Sequence, residues 1–157
     1  MGVFLSRAEY MDCEEIQKMQ EKSFAQLLEK YQDFETNPAC ESLEIIRKKM
    51  VQPFTQYYFI ISDNIKVGVI RVVTINESTK RISPIFILPE YQNRGYAKHA
   101  MSLIETQNPE VKIWMLDTIL QEQKLCHMYE NLGYRQTGKF EDIKDGMTIA
   151  YYEKRVK

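Results

Sequence analysis

The sequence predicts an α/β protein: one mixed sheet, mostly antiparallel with a central parallel strand pair, in the order β-α-α-β-β-β-α-β-α-β-β. Two observations carry most of this. Apolar residues recur at helical spacing in four segments, while β-branched and aromatic residues crowd seven shorter ones. One of the helices lies between the strand at 81–88 and the strand at 111–118. A crossover of that length makes the two strands parallel. The 157 residues fit one domain, taken here as 1–157, with no repeat, low-complexity tract or linker.

The elements follow in order. Residues 3–7 are short and apolar and read as the first strand. Asp12, with Glu15 three positions on, resembles a capping box. It would start a helix whose apolar face is Ile16, Met19, Ser23, Phe24, Leu27, Leu28 and Tyr31. Residues 33–38 break that pattern. A shorter helix follows with Leu43, Ile46 and Met50 on one face, ended by Pro53. Residues 56–62 and 66–75 are strands joined at Asp63-Asn64, a good hairpin dipeptide. Residues 81–88 complete the meander. Pro84 lies within that strand and has no N–H to give a ladder, so an edge position or a bulge is expected there. Ala97, Ala100, Met101 and Ile104 define a helix to about Gln107, closed by Pro109. Residues 111–118 form a strand. Residues 121–132 form a helix through Leu125, Met128, Tyr129 and Leu132, with Gly133 as its left-handed cap. Residues 134–140 and 147–155 are the last strands, around a turn at 142–146.

Composition excludes several classes. A net charge of −1 gives no push toward nucleic acid or an anionic membrane, and neither partner is expected. Cys13, Cys40 and Cys126 are odd in number and widely spaced, which suits reduced thiols in a cytoplasmic protein. No metal is expected, because no His, Cys or Asp cluster has ligand spacing. No leader is apparent, and no apolar run approaches the ~20 residues of a membrane span.

The chemistry concentrates at residues 85–98, Ile-Phe-Ile-Leu-Pro-Glu-Tyr-Gln-Asn-Arg-Gly-Tyr-Ala-Lys. This is a strand end, a polar loop and the first turn of a helix. A helix N-terminus offers unpaired N–H groups and partial positive charge. Arg94, Lys98 and a close-approach Gly95 add to that, and the loop reads as a site for a phosphate-bearing ligand.

With the element order, this loop resembles the GNAT superfamily of acyl-CoA-dependent N-acetyltransferases. Gln92-Asn93-Arg94-Gly95-Tyr96-Ala97 is similar to the family's Gln/Arg-x-x-Gly-x-Gly/Ala loop. Further on, Leu125-Cys126-His127-Met128-Tyr129-Glu130-Asn131-Leu132-Gly133-Tyr134 is similar to its helix ending Tyr-Glu-x-Leu-Gly-Phe/Tyr. The resemblance covers nearly the whole chain in element order.

It implies that backbone amides of Gln92, Asn93, Arg94, Gly95, Tyr96, Ala97 and Lys98 hold the pyrophosphate of acetyl-CoA. Phe86 and Ile87 would pair with the pantetheine arm, and an amide there would polarise the thioester. Tyr129 would stand by the sulfur. The expected activity is direct acetyl transfer to a primary amine of an unidentified small molecule or peptide, with a homodimer admitted. A non-catalytic acyl-CoA-binding domain on the same fold is the alternative. Two positions depart from the pattern. Ala97 replaces a glycine, a mild change. Glu122 stands where the family often has asparagine, which puts the contacts of that helix with pantetheine in question.

For the base, Asp117 is the candidate, near the end of its strand and opposite in face to Trp114, Leu116 and Thr118. It also reads as a solvated strand-end carboxylate. Tyr129 equally reads as a core aromatic with a polar tip. Glu77 and Glu90 suit surface positions better than a base. His99 and His127 have the imidazole a base needs, but His99 lies between core positions 97 and 100–101 and His127 faces only partly away from Leu125, Met128 and Tyr129, so neither is favoured. The family's direct transfer gives Cys126 no nucleophilic role. Phe24, Tyr31, Phe34, Tyr57, Asp142 and Asp145 lie on the stretches that would meet the acceptor.

Overall fold

The computed structural model describes residues 2–156, so the first and last residues of the expected 1–157 domain lie outside it. The elements are β1 (Val3–Arg7), α1 (Cys13–Tyr31), α2 (Leu43–Met50), β2 (Thr55–Ser62), β3 (Ile65–Thr74), β4 (Thr79–Ile87), α3 (Tyr96–Gln107), β5 (Ile113–Ile119), α4 (Gln123–Asn131), β6 (Arg135–Lys144) and β7 (Met147–Arg155). The strands form one seven-stranded sheet in the order β1-β2-β3-β4-β5-β7-β6. Among the described residues only β4 and β5 pair in parallel, and every other neighbouring pair is antiparallel. Fold class and element order are those expected from the sequence. Among the described residues no helix is long and apolar enough to cross a membrane.

Alternation along the strands divides the core between the two faces of the sheet. Ile60, Ile70, Ile82, Trp114, Leu116 and Tyr152 point to one face, under Ala100, Met101 and Ile104 of α3 and Cys126 and Tyr129 of α4. Trp114 has no exposed surface and belongs to the same buried cluster as these residues of α3 and α4. Truncating a buried aromatic of this size typically costs ~3–5 kcal/mol. The other face carries Tyr57, Phe59, Val69 and Phe86, covered by Ile16 and Met19 of α1 and Ile46 of α2.

Some expectations shift on contact with the structure. The capping box is displaced by one turn. A 3-10 turn spans Tyr10–Asp12, and the Asp12 carboxylate accepts from the Glu9 N–H at 2.8 Å instead of capping α1. Helix α4 starts at Gln123, not 121, because Gln121 is held by β7: Thr148 N–H donates to its Oε1 at 2.9 Å and its Nε2 to Thr148 Oγ1 at 3.1 Å. Strand β6 continues through Asp142 to Lys144, where a turn at 142–146 was expected. Register shifts at Gly138 (φ +92°) and near Ile143 absorb the irregularity, leaving Asp145-Gly146 as a two-residue hairpin. Asp63 and Asn64 both adopt positive φ, and Gly133 has φ +99°, as their positions in the sequence suggest.

Pro84 lies at a bulge. Ile70 pairs with Ile85 while Val72 pairs with Ile82, so Ser83 and Pro84 together face the single residue Arg71. The strand is central in the sheet order, yet its pairing with β5 stops early. Only Thr79, Lys80 and Arg81 have partners there, in Ile113, Trp114 and Met115. Beyond Arg81, β4 and β5 diverge, and the residues that follow Pro84 border an open wedge.

Candidate active site

The wedge exposes one side of β4. Leu88 N–H donates to Val67 C=O at 2.8 Å, which makes Leu88–Val67 a hydrogen-bonded pair of the β3–β4 ladder. Antiparallel pairs alternate, so Phe86 also spends its N–H and C=O on β3. The amides of Ile85 and Ile87 therefore point away from β3, into the wedge. The Phe86 side chain turns to the opposite face, edge-on to Phe24 with ring centroids 5.5 Å apart. Of the two strand residues expected to meet a ligand, Ile87 offers the wedge its backbone N–H, whereas Phe86 turns its backbone groups to β3 and its side chain to α1. The Ile87 C=O accepts from Gln92 Nε2 at 2.9 Å, which folds the loop back onto the strand end.

Residues Gln92 to Lys98 then build the start of α3. Asn93 (φ +65°) and Gly95 (φ +83°) both occupy the left-handed region, and space is open around Gly95 where a Cβ would lie. The first helical bond from Gly95 C=O runs to His99 N–H at 3.1 Å, so the preceding amides must find partners elsewhere. A helix start is normally lined with carboxylates. The first turn of α3 has none; Arg94 and Lys98 are exposed there instead, and Lys124 of α4 donates to Asn93 Oδ1. Positive charge gathered against the positive end of a helix dipole is unfavourable until an anion joins it. Tyr96 is buried through its side chain and Ala97 half-buried, leaving the backbone to face outward.

Tyr129 is buried on α4, with its ring edge-on to Tyr134 at 6.3 Å. Burial holds the phenol proton far more tightly than usual, and the nearby charge of Asp117 and the thiol of Cys126 add to this. Tyr129 and Asp117 are thus brought within electrostatic reach of one another. Asp117 is not free, because Arg81 of β4 donates a guanidinium hydrogen bond to its Oδ1. His99 and His127 are exposed on the outer faces of their helices.

Glu122, the departure from pattern, is occupied. It immediately precedes α4 and accepts from the Tyr31 hydroxyl and from Lys30 Nζ at 2.6 Å. Burial works to raise its pKa, but these two donors outweigh it and hold the carboxyl below the ordinary range. The carboxylate is turned to the end of α1. At the same corner Lys144, in the β6–β7 hairpin, donates to Gln32 C=O at 3.4 Å.

Three features escape a reading of the sequence alone: the Gln92 side-chain brace, the Tyr31–Glu122 contact and buried Arg71 against the bulge. Only Arg71 leaves a trace, as a cation inside the β-branched run Val-Ile-Arg-Val-Val. Two surface grooves, of about 410 and 490 Å³, lie on α1 and α2, beside Phe34 and beside Tyr10 respectively.

Residues 14–134 match the acetyltransferase (GNAT) family, and the chain belongs to that family of acyltransferases. Solved structures agree in fold. The ribosomal-protein-S18-alanine N-acetyltransferase of Escherichia coli superposes with a TM-score of 0.78 at 11% identity, over 99% of this chain and 94% of that one. The PaiA N-acetyltransferase of Thermoplasma acidophilum, in complex with coenzyme A, gives 0.75 at 15% identity over 99% and 100%. The spermidine N-acetyltransferase of Vibrio cholerae, with CoA and spermine, gives 0.75 at 18% identity over 96% and 94%. No curated protein sequence matches the chain.

Proposed function

We propose that this protein transfers the acetyl group of acetyl-CoA directly to a primary amine. The observation that carries this is the alignment of two incomplete surfaces. The Ile85 and Ile87 amides border the wedge without a strand partner, and the same segment leads into a helix start that gathers cations instead of carboxylates. A ligand with an amide-bearing arm and a pyrophosphate fits both. Residues Gln92 to Lys98 would hold the phosphates, and the wedge would take the arm.

Acetyl-CoA supplies an activated acyl thioester, and the protein has to place the amine and balance charge. The Ile87 N–H is the donor for the thioester oxygen, where negative charge develops. Tyr129, kept protonated by burial, donates a hydrogen bond toward the departing sulfur. Asp117, with Oδ1 held by Arg81, is the base assigned to take the amine's proton as the carbon–nitrogen bond forms and the carbon–sulfur bond breaks, the sulfur leaving as the thiolate that Tyr129 hydrogen-bonds.

The acceptor is a primary amine on a small molecule or peptide. A panel of polyamines, amino acids, aminoglycosides and peptides, followed by release of the coenzyme A thiol, tests this. Turnover with one class is the expected result. Acetyl-CoA binding without turnover of any amine would favour a sensing domain, and no binding would overturn the reading.

A further inference from the structure

We propose that Arg71 is a positioning residue for the transfer site. By holding the Ser83 carbonyl it fixes the bulge in β4, and the bulge decides which strand amides face the wedge. This rests on the acetyl-CoA reading of the wedge given above.

Arg71 is 9% exposed in the middle of β3, between Ile70 and Val72. Among the described residues no carboxylate forms an ion pair with it. Its Nη1 donates to Ser83 C=O at 2.8 Å and its Nη2 to Thr55 Oγ1 at 3.4 Å, while its Nε has no partner. The guanidinium lies 5.8 Å from the centre of the Tyr57 ring. The charged groups that face it are Glu41, which is engaged by Lys49 and Gln20, and Arg81, which repels it. A buried cation without a carboxylate is costly, and apolar replacements of similar volume usually do no harm to stability. Packing alone gives no reason for an arginine here.

The bulge gives one. Ser83 and Pro84 oppose Arg71 alone, so β4 carries one extra residue at this point. Strand faces and hydrogen-bonding sides alternate with a period of two. With the extra residue in place, Phe86 and Leu88 bond to β3 and the Ile85 and Ile87 amides face the wedge. A slip that absorbed the bulge would exchange the two sets and turn the Ile87 N–H into the sheet. The Ser83 carbonyl is thrown out of the ladder by the bulge, and Arg71 is what receives it.

The test compares the full-length wild type with Arg71→Met and Arg71→Lys, titrating each with coenzyme A and with its nucleotide end alone, 3′-phospho-ADP. The nucleotide depends on residues Gln92 to Lys98, whereas the pantetheine arm depends on the β4 amides. Arg71→Met is expected to keep cooperative unfolding, to bind 3′-phospho-ADP within about twofold of wild type, and to lose at least fivefold in coenzyme A affinity and tenfold in kcat/KM. Arg71→Lys keeps one donor for Ser83 and should recover most of both losses. Equal weakening of both ligands would make Arg71 merely structural and overturn the proposal, as would unchanged coenzyme A binding in Arg71→Met. If Arg71→Met fails to fold, Arg71→Lys decides: the proposal stands on near-wild-type coenzyme A affinity and falls if both ligands weaken together. A wild type that binds neither ligand would instead refute the acetyl-CoA reading itself.

Discussion

Tyr31, the last residue of α1, donates its hydroxyl to Glu122, which immediately precedes α4. Helix α1 covers one face of the sheet and α4 the other. Glu122 follows the C-terminal end of β5, the end toward which the wedge opens, so the contact ties the two faces together there. Replacing Tyr31 by Phe removes a hydrogen bond to a carboxylate at a partly exposed site and is expected to cost about 1 kcal/mol at pH 7. The folded Glu122 carboxyl titrates below its unfolded counterpart, which lies near about 4.3. The tie is therefore complete above that pH and lost as pH falls through the depressed folded value. Thermal unfolding of wild type and Tyr31→Phe should differ at pH 7 and converge as the pH falls through the depressed folded value. A gap that persists in acid would mean that the contact does not depend on the carboxylate.

Tyr129→Phe keeps the ring that packs on Tyr134 and removes only the hydroxyl. If that hydroxyl serves the departing sulfur, kcat should fall by about 10- to 100-fold, with the KM for acetyl-CoA within about twofold. Burial raises the Tyr129 pKa, so the protonated form persists to higher pH than in a free tyrosine. Loss of its proton should not limit kcat of the wild type below about pH 10. The same shift makes the folded state less stable as pH climbs above the unfolded value, because only the unfolded tyrosine ionises freely there. A variant that turns over at the wild-type rate would remove Tyr129 from the mechanism.

What the sequence reveals about this site follows the range of the interaction. Element order and the parallel pair are legible because periodicity and crossover length are local properties. The loop before α3 is legible because Asn93, Arg94, Gly95 and Lys98 are contiguous. Glu122 is visible only as a misfit: its partner Tyr31 is 91 residues away, and nothing in the local sequence points to it. Asp117 reads as a free carboxylate until Arg81, 36 residues earlier, is seen to hold it. The length of β6 is hidden for a different reason. The Asp142–Lys144 segment resembles turn sequence, and a register shift near Ile143 lets the strand pass through it. Arg71 depends on strand register, which a bulge changes by one residue.

Gly95→Ala tests the loop with little steric complication. No atom lies within 4 Å of the added Cβ, so the penalty is conformational, from a side chain at φ +83°. That is expected to cost about 1–2 kcal/mol of stability if the backbone holds its place. If it relaxes instead, the amides at the start of α3 move, and the KM for acetyl-CoA should rise by about five- to tenfold. Kinetics and unfolding measured together separate the two responses. An unchanged KM with unchanged stability would show that neither the conformation nor the amides of this loop matter to the ligand.

Gly68 of β3 lies opposite Ile87 across the ladder, where the two backbones come closest. A Cβ on Gly68 would overlap the Phe86 carbonyl oxygen, stand 2.8 Å from Ile87 Cδ1 and lie 3.1 Å from Ile87 Cα. The two backbone atoms cannot rotate away, so Gly68→Ala has to push β4 toward the wedge. The expected cost is about 1–3 kcal/mol, the usual range for overpacking in a close-packed core. Displacing Ile87 should also lower kcat/KM by more than tenfold under conditions where the variant remains folded, because the Ile87 N–H leaves the position assigned to it. Full activity in a destabilised Gly68→Ala would show that catalysis tolerates a shifted Ile87 amide, and the oxyanion role would then pass to another donor at the wedge.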